Sequence, residues 1–168
     1  MFEIKEVEAS NLEQFLDFAK KFILNQFFDY PQNVRNAYWK YDFNRENLLK
    51  QIEKDEADIF VAIVDKKIVG FSVVDFYYGG QAHMKWIGIL EDYRGEGIGT
   101  ALLLKIEENL KKHYCHFITI WTETKKNVEF YKKRGYYLIG LQKESWFGID
   151  EYLMQKNLRK PFEEIFKN

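Results

Sequence analysis

The segment from residue 83 to residue 122 constrains the fold more than any other part of the chain. An apolar run at 83–90 is followed by the turn YRGEGIGT at 93–100 and by an amphipathic run at 99–113. A second apolar run, FITIWTE, begins at Phe117. A strand, a helix and a strand in this order form a crossover unit whose two strands lie parallel and adjacent. The sequence therefore predicts a parallel pair of strands, 83–90 and 117–122.

The remaining periodicities predict an α/β fold of the α+β type. Residues 2–7 alternate like a strand, and a helix follows with Leu12, Phe15, Leu16, Ala19, Ile23 and Phe27 on one face. Asn44 is expected to cap a second helix, and two apolar runs joined by DKK at 65–67 indicate a hairpin. After FITIWTE come a short helix closed by Gly135 and two more strands. This order predicts a mixed, partly antiparallel central sheet flanked by helices.

Length and charge narrow the class of protein. A chain of 168 residues is long enough for one domain, expected to span 1–168, with a core that needs neither disulfide nor metal. The formal net charge of -1 gives no global reason to bind nucleic acid or an anionic membrane. The start, MFEIKEVEAS, lacks a signal-peptide core, so we expect a cytoplasmic protein. Cys115 has no partner for an internal disulfide, and its setting HYCH is too compact for a closed metal site, so no metal is expected.

Two aromatic segments leave alternatives open. Residues 27–43 carry many aromatic side chains around Pro31 without a clean period, which indicates a loop with a short helix. This stretch is either a packed flap or a wall of a substrate pocket. The loop 140–148 adds Trp146 and Phe147. Such segments would be covered either by a homodimer partner or by a substrate.

The glycine turn has both a structural and a functional interpretation. It is either a tight turn between strand and helix or a cradle for phosphate, since the first amides of a helix attract anions when side chains do not block their approach. Gly95, Gly97 and Gly99 remove that block, and Arg94 adds a charged donor, while Glu96 must face outward. The spacing matches neither the dinucleotide fingerprint nor the P-loop.

Two motifs resemble the GNAT acetyltransferase superfamily. LEDYRGEGIGTALL is similar to its R/Q-x-x-G-x-G/A signature, and NVEFYKKRGYYLIG is similar to its FYEKLGF segment. The resemblance implies two parallel strands splayed apart to admit acetyl-CoA. It places the pyrophosphate at Arg94, Gly95, Glu96, Gly97, Ile98, Gly99 and Thr100, and the pantetheine beside Ile87, Ile89 and Leu90. Gly88, inside this apolar strand, would mark a bulge or a close backbone approach.

The resemblance also implies catalytic residues. Tyr131 aligns with the family tyrosine that protonates the leaving thiolate. The asparagine often found seven residues earlier is Thr124 here, so either Thr124 or Asn127 would meet the cofactor. Glu123 is the first choice for a general base, followed by Asp75 and His83, each of which is otherwise a solvated charge at a strand end.

The resemblance implies an acetyl-CoA-dependent N-acetyltransferase. The acetyl group would pass to a primary amine, on a small molecule, peptide or protein, by direct attack in a ternary complex. The alternative is a non-catalytic acyl-CoA-binding regulatory module. The acceptor and the oligomeric state stay open.

Overall fold

A computed structural model describes residues 1–26 and 30–161. The strands are β1 (Glu3–Glu6), β2 (Ala57–Val64), β3 (Lys67–Tyr77), β4 (Gln81–Ile89), β5 (Phe117–Thr122), β6 (Tyr137–Gln142) and β7 (Glu151–Asn157). The helices are α1 (Leu12–Gln26), α2 (Gln32–Asp42), α3 (Arg45–Glu53), α4 (Ile98–Lys112) and α5 (Lys125–Lys132). The predicted mixed α/β fold is confirmed.

The described strands form one sheet in the order β1-β2-β3-β4-β5-β7-β6. The β4–β5 pair is parallel, as predicted, whereas β1–β2, β5–β7 and β6–β7 are antiparallel. The parallel ladder runs from Gln81 opposite Phe117 to Met84 opposite Ile120, and β4 continues beyond it to Ile89. The sheet is therefore mixed, with its parallel ladder confined to the first half of β4.

Turn and cap chemistry explains where several elements begin and end. Asp65 and Lys66, at the tip of the β2–β3 hairpin, both have positive φ, as a two-residue hairpin turn requires. The Asn44 side chain accepts a hydrogen bond from the Asn47 amide at 3.0 Å and caps α3, as predicted. Gly135, with φ of +85°, follows α5 in the left-handed conformation that closes a helix.

The chain divides into two compact units. The first comprises Met1–Val73 and Trp86–Leu102, and the second begins with Val74–Lys85 and resumes at Leu103. In the first unit, Phe71 is the centre of an aromatic core. Its ring lies 5.2–6.1 Å, centroid to centroid, from the rings of Phe15, Phe18, Phe22 and Phe43.

Helix α2 is longer than the sequence predicted. Val34 is buried, and the Tyr38 ring lies edge-on to Trp86 with centroids 5.0 Å apart. Asp42, at the end of the helix, accepts a hydrogen bond from Trp86 Nε1 at 3.1 Å. Tyr38, Trp39 and Phe43 therefore pack against the core, whereas Tyr41 is exposed, and both interpretations of this stretch stay open. Phe27 lies outside the described residues.

The second unit has its own core and a buried polar group. One face of β4, β5 and β7 buries Ala82, Met84, Ile118, Ile120 and Met154. Glu107, only 6% exposed, accepts a hydrogen bond from Lys156 Nζ at 2.6 Å and one from the Tyr136 hydroxyl at 3.2 Å. A buried carboxylate is tolerated when it is paired in this way.

Among the described helices, none combines the length and the apolarity needed to cross a lipid bilayer.

Candidate active site

The glycine turn of the first unit has an open backbone. Gly95 and Gly97 both have φ of +85°, and a Cβ built on either residue would meet no atom within 4 Å. These glycines therefore do not serve packing; they provide left-handed backbone that other residues adopt only with strain. Glu96 between them is exposed, as expected from the sequence.

Helix α4 begins directly after this turn, at Ile98. Its first hydrogen bond joins the Ala101 amide to the Gly97 carbonyl at 3.0 Å. The amides at the start of an α-helix have no carbonyl one turn earlier and carry partial positive charge. Gly99 and Thr100 are half-buried in this first turn, and Ile98 is buried. The turn and the helix start together form a backbone site suited to an anion.

Arg94 can contribute to such a site through its side chain only. Its amide already donates to the Glu91 carbonyl at 3.1 Å, inside a short 3-10 turn. Its guanidinium Nε donates to the Ile89 carbonyl at 3.2 Å, which holds the exposed side chain against the end of β4. The Arg94 amide is therefore engaged within this turn.

The end of β4 is tightly packed against its own unit. Ile87, Ile89 and Leu90 are half-buried, and the Leu90 amide donates to the Val69 carbonyl at 2.9 Å. A Cβ on Gly88 would lie 2.6 Å from Phe22 Cζ, so this glycine marks a close approach, one of the two roles predicted for it. The partner in that approach is a core phenylalanine.

Two polar residues begin α5 in the second unit. The Thr124 hydroxyl accepts a hydrogen bond from the Asn127 amide at 3.1 Å and caps the helix. Both residues are exposed. Because a hydroxyl donates as well as accepts, Thr124 can cap α5 and still offer a proton to a ligand. Either Thr124 or Asn127 could therefore take the place of the asparagine that is often found in the family.

Tyr131 is deeply buried in the second unit. It is 4% exposed, and its ring lies between Phe130 and Tyr136, with centroids 5.2 and 5.5 Å away. Its hydroxyl makes no hydrogen bond with the described residues. Burial raises the pKa of this phenol, and the charge of Glu123 raises it further. The hydroxyl therefore stays protonated at neutral pH, as a proton donor must.

A second carboxylate, Glu151, is influenced by Glu123 and was not among the residues predicted from the sequence. Glu151 begins β7, is 6% exposed and has a buried Oε2 without a hydrogen-bond partner in the described chain. Burial raises the pKa of Glu151, and the charge of Glu123 raises it too; Ser145 and the Trp146 backbone act in the opposite direction. The β5–β7 ladder ends at Thr122 opposite Tyr152, so the interaction of these two carboxylates depends on the tertiary structure and no local signal marked Glu151.

The other two candidate bases are not solvated charges, contrary to the expectation for strand ends. Asp75 is 5% exposed and forms an ion pair with Lys85 at 3.5 Å. His83 Nδ1 lies 3.0 Å from the Thr119 hydroxyl, its cross-strand neighbour. Burial lowers the pKa of His83, and the charge of Lys85 lowers it further. Asp75 and His83 therefore both interact with other side chains of the sheet.

Comparison with known proteins identifies the family. The model of the acetyltransferase (GNAT) family matches residues 21–136, and the chain belongs to this family. The match includes the glycine turn, Glu123 and Tyr131. The resemblance found in the two sequence motifs is thereby confirmed.

Individual relatives agree with this assignment. An uncharacterised N-acetyltransferase of Methanocaldococcus jannaschii is 31% identical over 143 residues, which cover 80% of this chain and 60% of the relative. An N-alpha-acetyltransferase of Sulfurisphaera tokodaii is 28% identical over 121 residues, covering 63% and 72%. This chain thus spans less than two thirds of the M. jannaschii protein.

A solved structure shows the same fold at low identity. The PaiA N-acetyltransferase of Thermoplasma acidophilum, crystallised with coenzyme A, superposes with a TM-score of 0.76 at 20% identity. The superposition covers 94% of this chain and 99% of that one.

Proposed function

We propose that the protein transfers an acetyl group from acetyl-CoA to a primary amine by direct attack in a ternary complex. The observation that carries the proposal is the open glycine turn at the start of α4, in a chain of the acetyltransferase family. The T. acidophilum neighbour was crystallised with coenzyme A, which supports the same ligand here.

The glycine turn would bind the pyrophosphate. Gly95 and Gly97 let the backbone approach an anion closely, and the start of α4 adds partial positive charge. The Arg94 guanidinium supplies the full positive charge of this turn, while exposed Glu96 can turn toward solvent. Ile87, Ile89 and Leu90, on the strand before the turn, would flank the pantetheine.

The reaction needs a proton donor for the leaving thiolate, and Tyr131 would be that donor. Its phenol is protonated at neutral pH, since its ordinary pKa is about 10 and burial raises it further. The acceptor must lose a proton before or during attack, and Glu123, whose charge acts on Tyr131, would accept it directly or through water. Thr124 or Asn127 would contact the cosubstrate at the start of α5.

The first test is the thermal midpoint with and without acetyl-CoA. A ligand that binds only the native state raises the midpoint by mass action. We expect acetyl-CoA to raise it in the wild type, and the rise to disappear in Gly97→Glu, which places a carboxylate in the turn. Isothermal titration with acetyl-CoA measures the same loss directly.

Gly79→Glu is the matched control. Gly79 also has positive φ, +94°, and open space around its Cβ position, but it lies in the β3–β4 turn. Both variants carry similar backbone strain and the same added charge. A rise that survives in Gly97→Glu, or that disappears equally in Gly79→Glu, would remove the glycine turn from the proposal.

A further inference from the structure

The two edge strands of the described sheet differ in character. Strand β1 is short, and three of its four residues are charged, namely Glu3, Lys5 and Glu6. Strand β6, at the other edge, has the sequence YLIGLQ and carries no charge. Short strands and charged side chains protect an edge whose backbone could otherwise pair with another chain. Strand β1 has this protection, whereas β6 has only a bulge between Leu138 and Gly140.

Strand β6 carries apolar side chains on both faces of the sheet. Leu138 lies opposite Met154 and Leu141 lies opposite Tyr152. Residues two apart in a strand share a face, so both leucines lie on the face that buries Met154. Tyr137 comes directly before Leu138 and therefore lies on the other face.

These apolar side chains of β6 are about half exposed. The exposed fractions are 43% for Tyr137, 45% for Leu138, 50% for Ile139 and 45% for Leu141. A helix packed on one face of the sheet would leave the apolar residues of the other face uncovered. A further strand at the edge of β6 would cover both faces and would also pair with its backbone.

The charges at the two ends of β6 have opposite signs. The residues before the strand are basic: Lys132, Lys133 and Arg134. The charged residues between β6 and β7 carry a net negative charge: Lys143, Glu144 and Asp150. An antiparallel copy of the same strand would place the basic start of each β6 beside the acidic end of the other. The edge is therefore complementary to itself in charge as well as in polarity.

The exposed apolar surface is large enough for a specific interface. Trp146 and Phe147, in the loop after β6, are 61% and 51% exposed. Since an aromatic side chain has about 150–250 Å² of surface, these two rings and Tyr137 offer roughly 300 Å² per copy. The aliphatic side chains and the backbone of the strand edge add to this area. Two copies together would therefore reach the buried area of about 1,000 Å² that a specific interface requires.

We propose that two copies of this chain form a two-fold symmetric dimer in which their β6 strands lie side by side and antiparallel. A two-fold interface uses the same surface of both copies, so this surface must complement itself, as β6 and its flanking charges do. The two described sheets would then continue into each other across the pair of β6 strands. The inference goes beyond the proposed function and does not depend on it.

Light scattering after size-exclusion chromatography, over a dilution series of the full chain, tests the dimer. We expect twice the mass of one chain, with a dissociation constant in the micromolar range because the interface is small. Leu141→Lys should weaken the dimer by about tenfold or more, since it places a charge among the apolar contacts. The thermal midpoint should rise with protein concentration in the wild type and much less in the variant.

Leu104→Lys is the matched control. Leu104 lies on α4 and is 59% exposed, so the same substitution adds the same charge away from β6 and should leave the dimer intact. Lys133→Glu and Glu144→Lys should each weaken the dimer, and the variant that carries both exchanges should recover it, because the charges attract between copies. If Leu141→Lys does not fold, Ile139→Lys carries the test.

A wild type that stays monomeric at every concentration would overturn the dimer; the edge would then be covered by residues 162–168, which lie outside the described residues, or by a different protein. A dimer that survives Leu141→Lys and Ile139→Lys, or that is weakened equally by Leu104→Lys, would also overturn it. A double exchange weaker than either single one would contradict the antiparallel arrangement. A dimer that does not bind acetyl-CoA would keep this interface and remove the proposed function.

Discussion

At the scale of single residues, two neighbouring tyrosines have hydroxyl groups with different roles. The Tyr136 hydroxyl donates to Glu107 at 3.2 Å, whereas the Tyr131 hydroxyl has no hydrogen-bond partner in the described chain. Both rings are buried. A hydroxyl on a buried ring that is not used in the hydrogen bonds of the fold is a candidate for a role in the reaction.

This contrast predicts opposite consequences of removing each hydroxyl. Tyr131→Phe should lower kcat by about a hundredfold or more, the usual effect of losing a general acid, and leave stability and acetyl-CoA affinity unchanged. Tyr136→Phe should lower the free energy of unfolding by about 1.5–3 kcal/mol, because it removes a hydrogen bond to a buried charge, and leave kcat unchanged. Steady-state kinetics with an amine acceptor and urea unfolding measure both effects. Full turnover in Tyr131→Phe would exclude Tyr131 as the acid.

At the scale of elements, two glycines lie in strands but in different surroundings, one crowded and one open. A Cβ on Gly88 in β4 would lie 2.6 Å and 2.7 Å from the Phe22 ring of α1 and 2.8 Å from Phe71. A Cβ on Gly140 in β6 would meet nothing within 4 Å. Gly88 thus sets how closely α1 packs on β4, while Gly140 has no comparable constraint.

We therefore expect Gly88→Ala to lower the free energy of unfolding by about 1–3 kcal/mol, the usual cost of overpacking a core. Gly140→Ala, the control, should be neutral or slightly stabilising, because alanine loses less backbone entropy than glycine. Chemical denaturation measures both variants. Phe22→Leu, combined with Gly88→Ala, should recover part of the loss, and additive effects of the two substitutions would show that the ring is not the obstacle.

At the scale of the whole molecule, pH should control stability partly through His83. Burial and then Lys85 lower the pKa of His83 in the folded protein below the value of about 6.5 in an unfolded chain. The unfolded state therefore binds more protons in this range, and stability rises with pH. The contribution is present above pH 6.5 or so and is lost as pH falls through the folded pKa.

We expect the free energy of unfolding of the wild type to fall between neutral pH and about pH 5, with the unfolded pKa near 6.5 setting the start of the decline. His83→Gln should show a shallower decline, since it removes the titrating group while keeping a side chain able to bond to Thr119. Urea denaturation at a series of pH values measures the slopes. Parallel slopes in the two proteins would assign the pH dependence to other groups.

The sequence alone determined the local elements, the parallel pair and the family. Alternation, helical periodicity and caps such as Asn44 act between near neighbours, so they can be read from a single chain. The glycine turn could also be predicted from the sequence, because Gly95 and Gly97 have positive φ, a local backbone conformation that favours glycine. The prediction of a loop with a short helix underestimated the length of α2, whose Tyr38 and Asp42 contact Trp86, a residue distant in sequence.

Only the tertiary structure decided which groups share an environment. The charge of Glu123 acts on Glu151, which is distant in sequence, and Phe22 reaches Gly88 through the packing of α1. Asp75 and His83 looked like solvated strand ends until neighbouring strands covered them. Burial and electrostatic coupling depend on what the rest of the chain places around a side chain, and residue type and spacing do not encode that directly.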